Sequence, residues 1–126
     1  DLHISLLEED ANLQADAVRL QQILSNLLTN AEQAMDGSGT IHVTLQTDKH
    51  FIIVDVQDSG CGIPLAEQPF IFERFYRGEQ KKYKIRGLGL GLPLSKMMAQ
   101  SIGGELTLLK STSRGTTFRL KLMKTF

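Results

Sequence analysis

The chain has 126 residues, 41% hydrophobic and 22% charged, which suits one globular domain with a real core. Fourteen basic residues balance fourteen acidic ones, which argues against a dedicated nucleic-acid or membrane-surface module. The single cysteine, Cys61, excludes an intrachain disulfide and suits a reducing compartment, and neither a signal peptide nor a membrane-spanning apolar run is visible.

His3 to Leu7 alternates weakly and reads as an edge strand. So abrupt a start predicts a fragment of a longer protein. Asp16 is placed to cap a helix that runs to about Met35. Leu20, Ile23, Leu24, Leu27, Leu28, Ala31, Ala34 and Met35 share one face of it. Arg19, Gln22, Asn26, Asn30 and Gln33 form a second stripe beside that face, with Ser25, Thr29 and Glu32 turned toward solvent. Gly37-Ser38-Gly39 is expected to end the helix. Thr40–Thr47 and Phe51–Gln57 are strand-like and form a hairpin across Asp48-Lys49. A glycine-rich loop follows from Asp58 to Pro64, then a short helix from Pro69 to Tyr76. Glu79 to Arg86 is basic and aperiodic and reads as a mobile loop. Leu90 to Ile102 is helical and stops at Gly103-Gly104. Glu105–Lys110 and Thr116–Met123 pair as a last hairpin around Ser113-Arg114-Gly115. This order predicts a two-layer α/β sandwich, a mixed but mostly antiparallel sheet with its helices on one face.

Three features carry chemistry. Asn is a poor helix-interior residue, so two of them four apart on one face, Asn26 and Asn30, suggest a purpose. An amide oxygen is a hard, neutral ligand for Mg²⁺, although a solvated polar face accounts for the stripe equally well. Asp58 ends an apolar strand and enters Ser59-Gly60-Cys61-Gly62-Ile63-Pro64. A buried carboxylate needs a donor, and a purine amino group is one; an ordinary Asp-Gly turn is the plainer alternative. Arg86 to Leu92 reads Arg-Gly-Leu-Gly-Leu-Gly-Leu, glycine-rich backbone leading into a helix, which can seat phosphate or serve structure only.

Taken in order, these pieces resemble the catalytic and ATP-binding domain of bacterial sensor histidine kinases, in the superfamily shared with type II topoisomerase and mismatch-repair ATPases. The N box is Gln22-Ile23-Leu24-Ser25-Asn26-Leu27-Leu28-Thr29-Asn30-Ala31, and the G1 box is Asp58 to Pro64. The F box is Ile71-Phe72-Glu73-Arg74-Phe75-Tyr76-Arg77, and the G2 box is Gly87-Leu88-Gly89-Leu90-Gly91-Leu92. The closing Gly103-Gly104 and Gly115-Thr116-Thr117-Phe118 match as well, so the resemblance covers nearly the whole chain, 1–126. Each motif alone is weak; four in order are specific.

The resemblance implies a Bergerat-type ATP-binding fold and a set of roles. Asn30 would coordinate Mg²⁺ bridging the ATP phosphates, with Asn26 in support. Asp58 would accept from the adenine amino group, and Thr116 would hold the same edge through water. Gly60, Gly62 and Ile63 would line the base, and Gly87, Leu88, Gly89, Leu90, Gly91 and Leu92 would wrap the phosphates. Arg77, with Lys81, Lys82 or Lys84, would lie in the lid between the F and G2 boxes. The reaction implied is transfer of that phosphoryl group to a histidine on an upstream dimerisation domain of the same polypeptide, acting as a homodimer, with a response regulator downstream. The domain itself would be cytoplasmic, touching neither membrane nor nucleic acid, within a parent that in most such kinases is anchored in the inner membrane.

The chain departs from the family pattern in two places. A lysine and an aromatic often follow the second N-box Asn; here Gln33 and Ala34 stand there. Arg86 precedes Gly87 where glycine is frequent. Hydrolytic members carry a water-activating glutamate at the position of Asn26, and an amide is no general base. The pattern therefore favours a kinase over an ATPase, an anti-sigma-type serine kinase, or a nucleotide-sensing module without chemistry. His3, His42 and His50 match no phosphoacceptor, so the dimerisation and phosphoacceptor domain is expected to lie outside this chain. Phe72 reads as core, Phe75 or Tyr76 as a docking contact, and Cys61 as a spectator thiol.

Overall fold

A computed structural model of the chain describes residues 2–6, 17–36, 38–73 and 91–123. Strands β1 (Leu2–Leu6), β2 (Ile41–Thr47), β3 (Phe51–Asp58), β4 (Gly104–Thr112) and β5 (Gly115–Met123) form one sheet in the order β1-β2-β3-β5-β4. β1 runs parallel to β2, and every other pairing is antiparallel. Helices α1 (Ala17–Ala34) and α2 (Gly91–Ser101) pack against each other, α1 on β2 and β3 and α2 on β4. The expected two-layer sandwich is the observed architecture. Among the described residues, no helix is long and apolar enough to cross a membrane.

The periodicities explain the packing. In α1 the buried residues Ile23, Leu27 and Ala31 recur every four positions, one helical face. In β3 Ile52, Val54 and Val56 are buried, and in β5 Phe118, Leu120 and Leu122, so one face of each strand meets the helices. Ile41, Ile71, Leu92, Ala99 and Leu106 join them in the core. The opposite face carries polar pairs. Arg119 donates from Nε and from a terminal nitrogen to Asp55 at 2.8 and 2.9 Å, across the register of β3 and β5. Lys121 Nζ lies 4.1 Å from the Phe51 ring centre.

Several local expectations shift. Asp36, at φ 54°, takes the left-handed turn after α1, one residue before the glycines expected to end it. Asp tolerates that conformation better than most residues. Of the short helix expected from Pro69 to Tyr76, the described part is a 3₁₀ turn at Gln68–Phe70 with a plain turn at Ile71 and Phe72, and 74–76 lie outside the described residues. Phe72 packs edge-to-face on Phe118 at 6.1 Å, so it joins the core as read. β4 is longer than expected because the register slips at Leu109, and this bulge carries the strand on to Thr112. The cap Asp16 and the basic loop from Glu79 to Arg86 lie outside the described residues.

Candidate nucleotide site

Asp58 is where the alternation of β3 meets the end of the sheet. Two residues beyond Val56, it falls on the helix-facing side and is only 3% exposed. It sits between Ile41 of β2 and Thr116 of β5. Its Oδ1 accepts the Gly60 N–H at 2.8 Å and the Thr116 N–H at 3.2 Å. Its Oδ2 accepts nothing among the described residues. Burial pushes the carboxyl above its ordinary range, and the two backbone donors only partly hold it down. One oxygen therefore ties the loop to the sheet while the other keeps its acceptor capacity.

The loop after Asp58 is clamped on both sides. A Cβ at Gly60 would come within 2.6 Å of the Ala34 carbonyl oxygen at the end of α1. Gly62, at φ 83°, would drive a Cβ into the Thr112 carbonyl at the end of β4. Both glycines are thus required by close backbone approach, a role that spacing alone did not reveal. Further on, Ile63 donates its N–H to Ser111 Oγ at 2.8 Å and accepts from Gln68 Nε2 at 2.9 Å. Ser111 Oγ lies 2.8 Å from Thr116 Oγ1, and Thr116 is itself buried. Cys61 is exposed beside this network, with Sγ 3.6 Å from its neighbour's carbonyl, that of Gly62.

The contact of Gly60 with Ala34 also locates the amide stripe. Asn30 and Asn26 lie one and two turns back along the same face of α1, about 6 and 12 Å along the axis. Both are half-buried, and neither side-chain amide bonds to any described residue. Ser25, Thr29 and Glu32 are exposed, as the wheel predicted. α2 starts at Gly91, where Ser95 Oγ donates to the Gly91 carbonyl at 2.8 Å. Leu92 is buried in the core, which leaves only its backbone for a ligand. Gly87, Leu88, Gly89, Leu90 and Arg77 lie outside the described residues, as do Phe75, Tyr76, Lys81, Lys82, Lys84 and Arg86. His42 and His50 are exposed, on β2 and in the hairpin turn.

Ser111 escaped the sequence reading. Counting back from a two-residue turn at Ser113-Arg114 pairs Thr112 with Gly115 and Ser111 with Thr116. That count was available, but the strand boundary at Lys110 excluded it. The Asp55–Arg119 pair was missed as well, since only strand register brings those two residues opposite.

Residues 15–125 match the family described as histidine kinase-, DNA gyrase B-, and HSP90-like ATPases. The sensor histidine kinase RppB of Synechocystis sp. is 32% identical over 97% of this chain and 27% of its own length. The sensor protein TorS of Escherichia coli is 39% identical over 87% of this chain and 12% of its own. The chain thus spans about a quarter or less of these relatives. Among solved structures, the catalytic domain of histidine kinase ThkA superposes with a TM-score of 0.81 at 27% identity, covering all of this chain and 81% of that one. The mycobacterial sensor histidine kinase MprB superposes at 0.78 and 25%, covering 98% and 83%.

Proposed function

The chain belongs to the histidine kinase-, DNA gyrase B- and HSP90-like ATPase family, as a sensor histidine kinase catalytic and ATP-binding domain, and on that premise we propose that it binds ATP with Mg²⁺ and phosphorylates a histidine on a dimerisation domain. The observation that carries the reading is Asp58. A carboxylate this buried, with Oδ1 taking both bonds from the described residues and Oδ2 taking none of them, is an acceptor kept for a ligand donor. The adenine amino group is that donor. Gly60, Gly62 and Ile63 form the wall beside it, and Thr116 holds the same edge.

The amides one and two turns along α1 suit the phosphate end. Asn30 offers a side-chain oxygen without a partner among the described residues, which fits a hard divalent cation shared with phosphates. Phosphate oxygens and water would supply the other ligands of such a cation. When bound, Mg²⁺ neutralises phosphate charge. Asn26 supports the same end, and Arg77 with the G2 glycines is assigned the γ-phosphate. In the reaction, the acceptor imidazole nitrogen forms a bond to the γ-phosphorus. The bond from phosphorus to the bridging oxygen breaks, and ADP leaves with that electron pair. The protein's part is to position groups and balance charge.

Asn30→Ala is expected to weaken Mg-ATP binding by about 1–3 kcal/mol, as losing a partner to a charged group does. Calorimetry with and without Mg²⁺ checks this, and equal affinity in both proteins removes Asn30 from the site. The reaction is tested with γ-labelled ATP, Mg²⁺ and a separately supplied cognate helical dimerisation domain. Label should move to that domain's histidine, and the chain alone should turn ATP over very slowly because Asn26 cannot act as a base. Rapid turnover by the chain alone, abolished by Asn30→Ala, would replace the kinase reading with a hydrolase.

A further inference from the structure

Ser111 lies opposite Thr116 in the register of β4 and β5. Its hydroxyl accepts from Ile63 N–H and shares a hydrogen bond with Thr116 Oγ1, both at 2.8 Å. Thr116 in turn donates its backbone N–H to Asp58 Oδ1. A continuous line of bonds therefore joins the glycine loop, two hydroxyls and the buried carboxylate. We propose that Ser111 is a positioning residue for base recognition, which fixes the polarity of the Thr116 hydroxyl beside Asp58. This rests on the nucleotide reading above.

The argument follows from counting protons. A serine hydroxyl has one proton and two lone pairs. At Ser111 one lone pair is taken by the Ile63 amide. An oxygen that accepts a hydrogen bond becomes a better donor, because linked bonds polarise one another. Ser111 thus donates to Thr116 Oγ1, and Thr116 keeps its own proton for the site. Asp58 Oδ2 and the Thr116 hydroxyl then present an acceptor and a donor side by side. Adenine offers the complement, an amino donor next to a ring-nitrogen acceptor. Guanine offers the reverse, a carbonyl acceptor next to a ring N–H donor. A water between Thr116 and the base preserves this polarity, since it accepts from Thr116 and donates onward. Ser111 needs no contact with the nucleotide to take part in that choice.

The test measures Mg-ATP and Mg-GTP binding calorimetrically for the parent chain, Ser111→Ala and Ser111→Thr. Ser111→Ala should weaken ATP binding about three- to tenfold, the ordinary effect of one hydrogen bond, with no matching loss for GTP. The ATP-to-GTP ratio should therefore fall. Adenosine should lose the same factor as ATP, because the change lies at the base. Ser111→Thr, which keeps the hydroxyl, should restore the ratio. If Ser111→Ala does not fold, Ser111→Cys replaces it, filling the same space with a weak donor. A ratio unchanged in the variant, whatever its melting temperature, would assign Ser111 to loop packing alone and overturn the inference. A parent chain that binds neither nucleotide would overturn the nucleotide reading itself, and this inference with it.

Discussion

Asp58→Asn is expected to abolish measurable ATP binding, a loss of at least about 100-fold or roughly 3 kcal/mol, while leaving the fold intact. The two halves of this result have separate causes. The bonds that Asp58 accepts from the described residues, from Gly60 and Thr116, both end on Oδ1, and an asparagine carbonyl can accept both. The amide nitrogen then takes the place of Oδ2. In the proposed complex a donor there would face the adenine amino group, itself a donor, and neither would find a partner. Circular dichroism establishes the fold and calorimetry the affinity. A folded variant that still prefers ATP to GTP would remove Asp58 from base recognition.

The same residue predicts an unusual pH response. Burial raises the Asp58 carboxyl above the ordinary aspartate value of 3.8. A group raised in the folded state contributes stability that is complete below the unfolded value and is lost as pH rises through the folded one. At neutral pH the ionised Asp58 therefore costs stability, although the proposed ligand contact needs it ionised. Unliganded Asp58→Asn should accordingly melt at the parent's temperature or above it at pH 7. The difference should shrink as pH falls toward 3.8. ATP affinity of the parent should fall across that window as Oδ2 takes up a proton. A variant clearly less stable than the parent at pH 7 would show that Asp58 is a structural residue first.

Gly62→Ala is the second large effect, expected on the order of 3 kcal/mol of destabilisation with ATP binding lost as well. The left-handed backbone at φ 83° costs a residue with a Cβ about 1–2 kcal/mol. The remainder comes from the Thr112 carbonyl, which occupies the place of the new methyl, so loop and hairpin must separate. That separation draws Ile63 away from Ser111 and loosens the wall beside Asp58. Chemical denaturation measures the stability term. A variant of full stability that loses only ATP affinity would make the glycine a ligand requirement instead of a packing one.

Much of this protein is legible from local pattern. The period of Ile23, Leu27 and Ala31 identifies the buried face of α1, and the alternation of β3 and β5 identifies the face of the sheet that meets it. Those signals survive folding because each depends only on the geometry of one element. The alternation even carries Asp58 onto the buried side, and the motif order points to the family without any contact known. Residues close in sequence but not in pattern were less readable: Asp36 takes the turn assigned to the glycines after it, and a bulge at Leu109 extends β4 past its apparent end.

What the linear chain could not determine is which distant groups meet. The carboxylate of Asp58 depends on Thr116, 58 positions away, and the amide of Ile63 on Ser111, 48 away. Both pairs exist only because β3 lies beside β5 and β5 beside β4, an order set by the packing of the whole sheet against α1 and α2. The reason for Gly60 and Gly62 is equally non-local, since the atoms that exclude a Cβ belong to α1 and β4. Composition and periodicity determine which faces are buried, because burial of apolar surface needs no particular partner. Hydrogen bonds and close backbone contacts are directional and short-ranged, so tertiary structure alone decided that Oδ1 of Asp58 is the oxygen spent on Gly60 and Thr116.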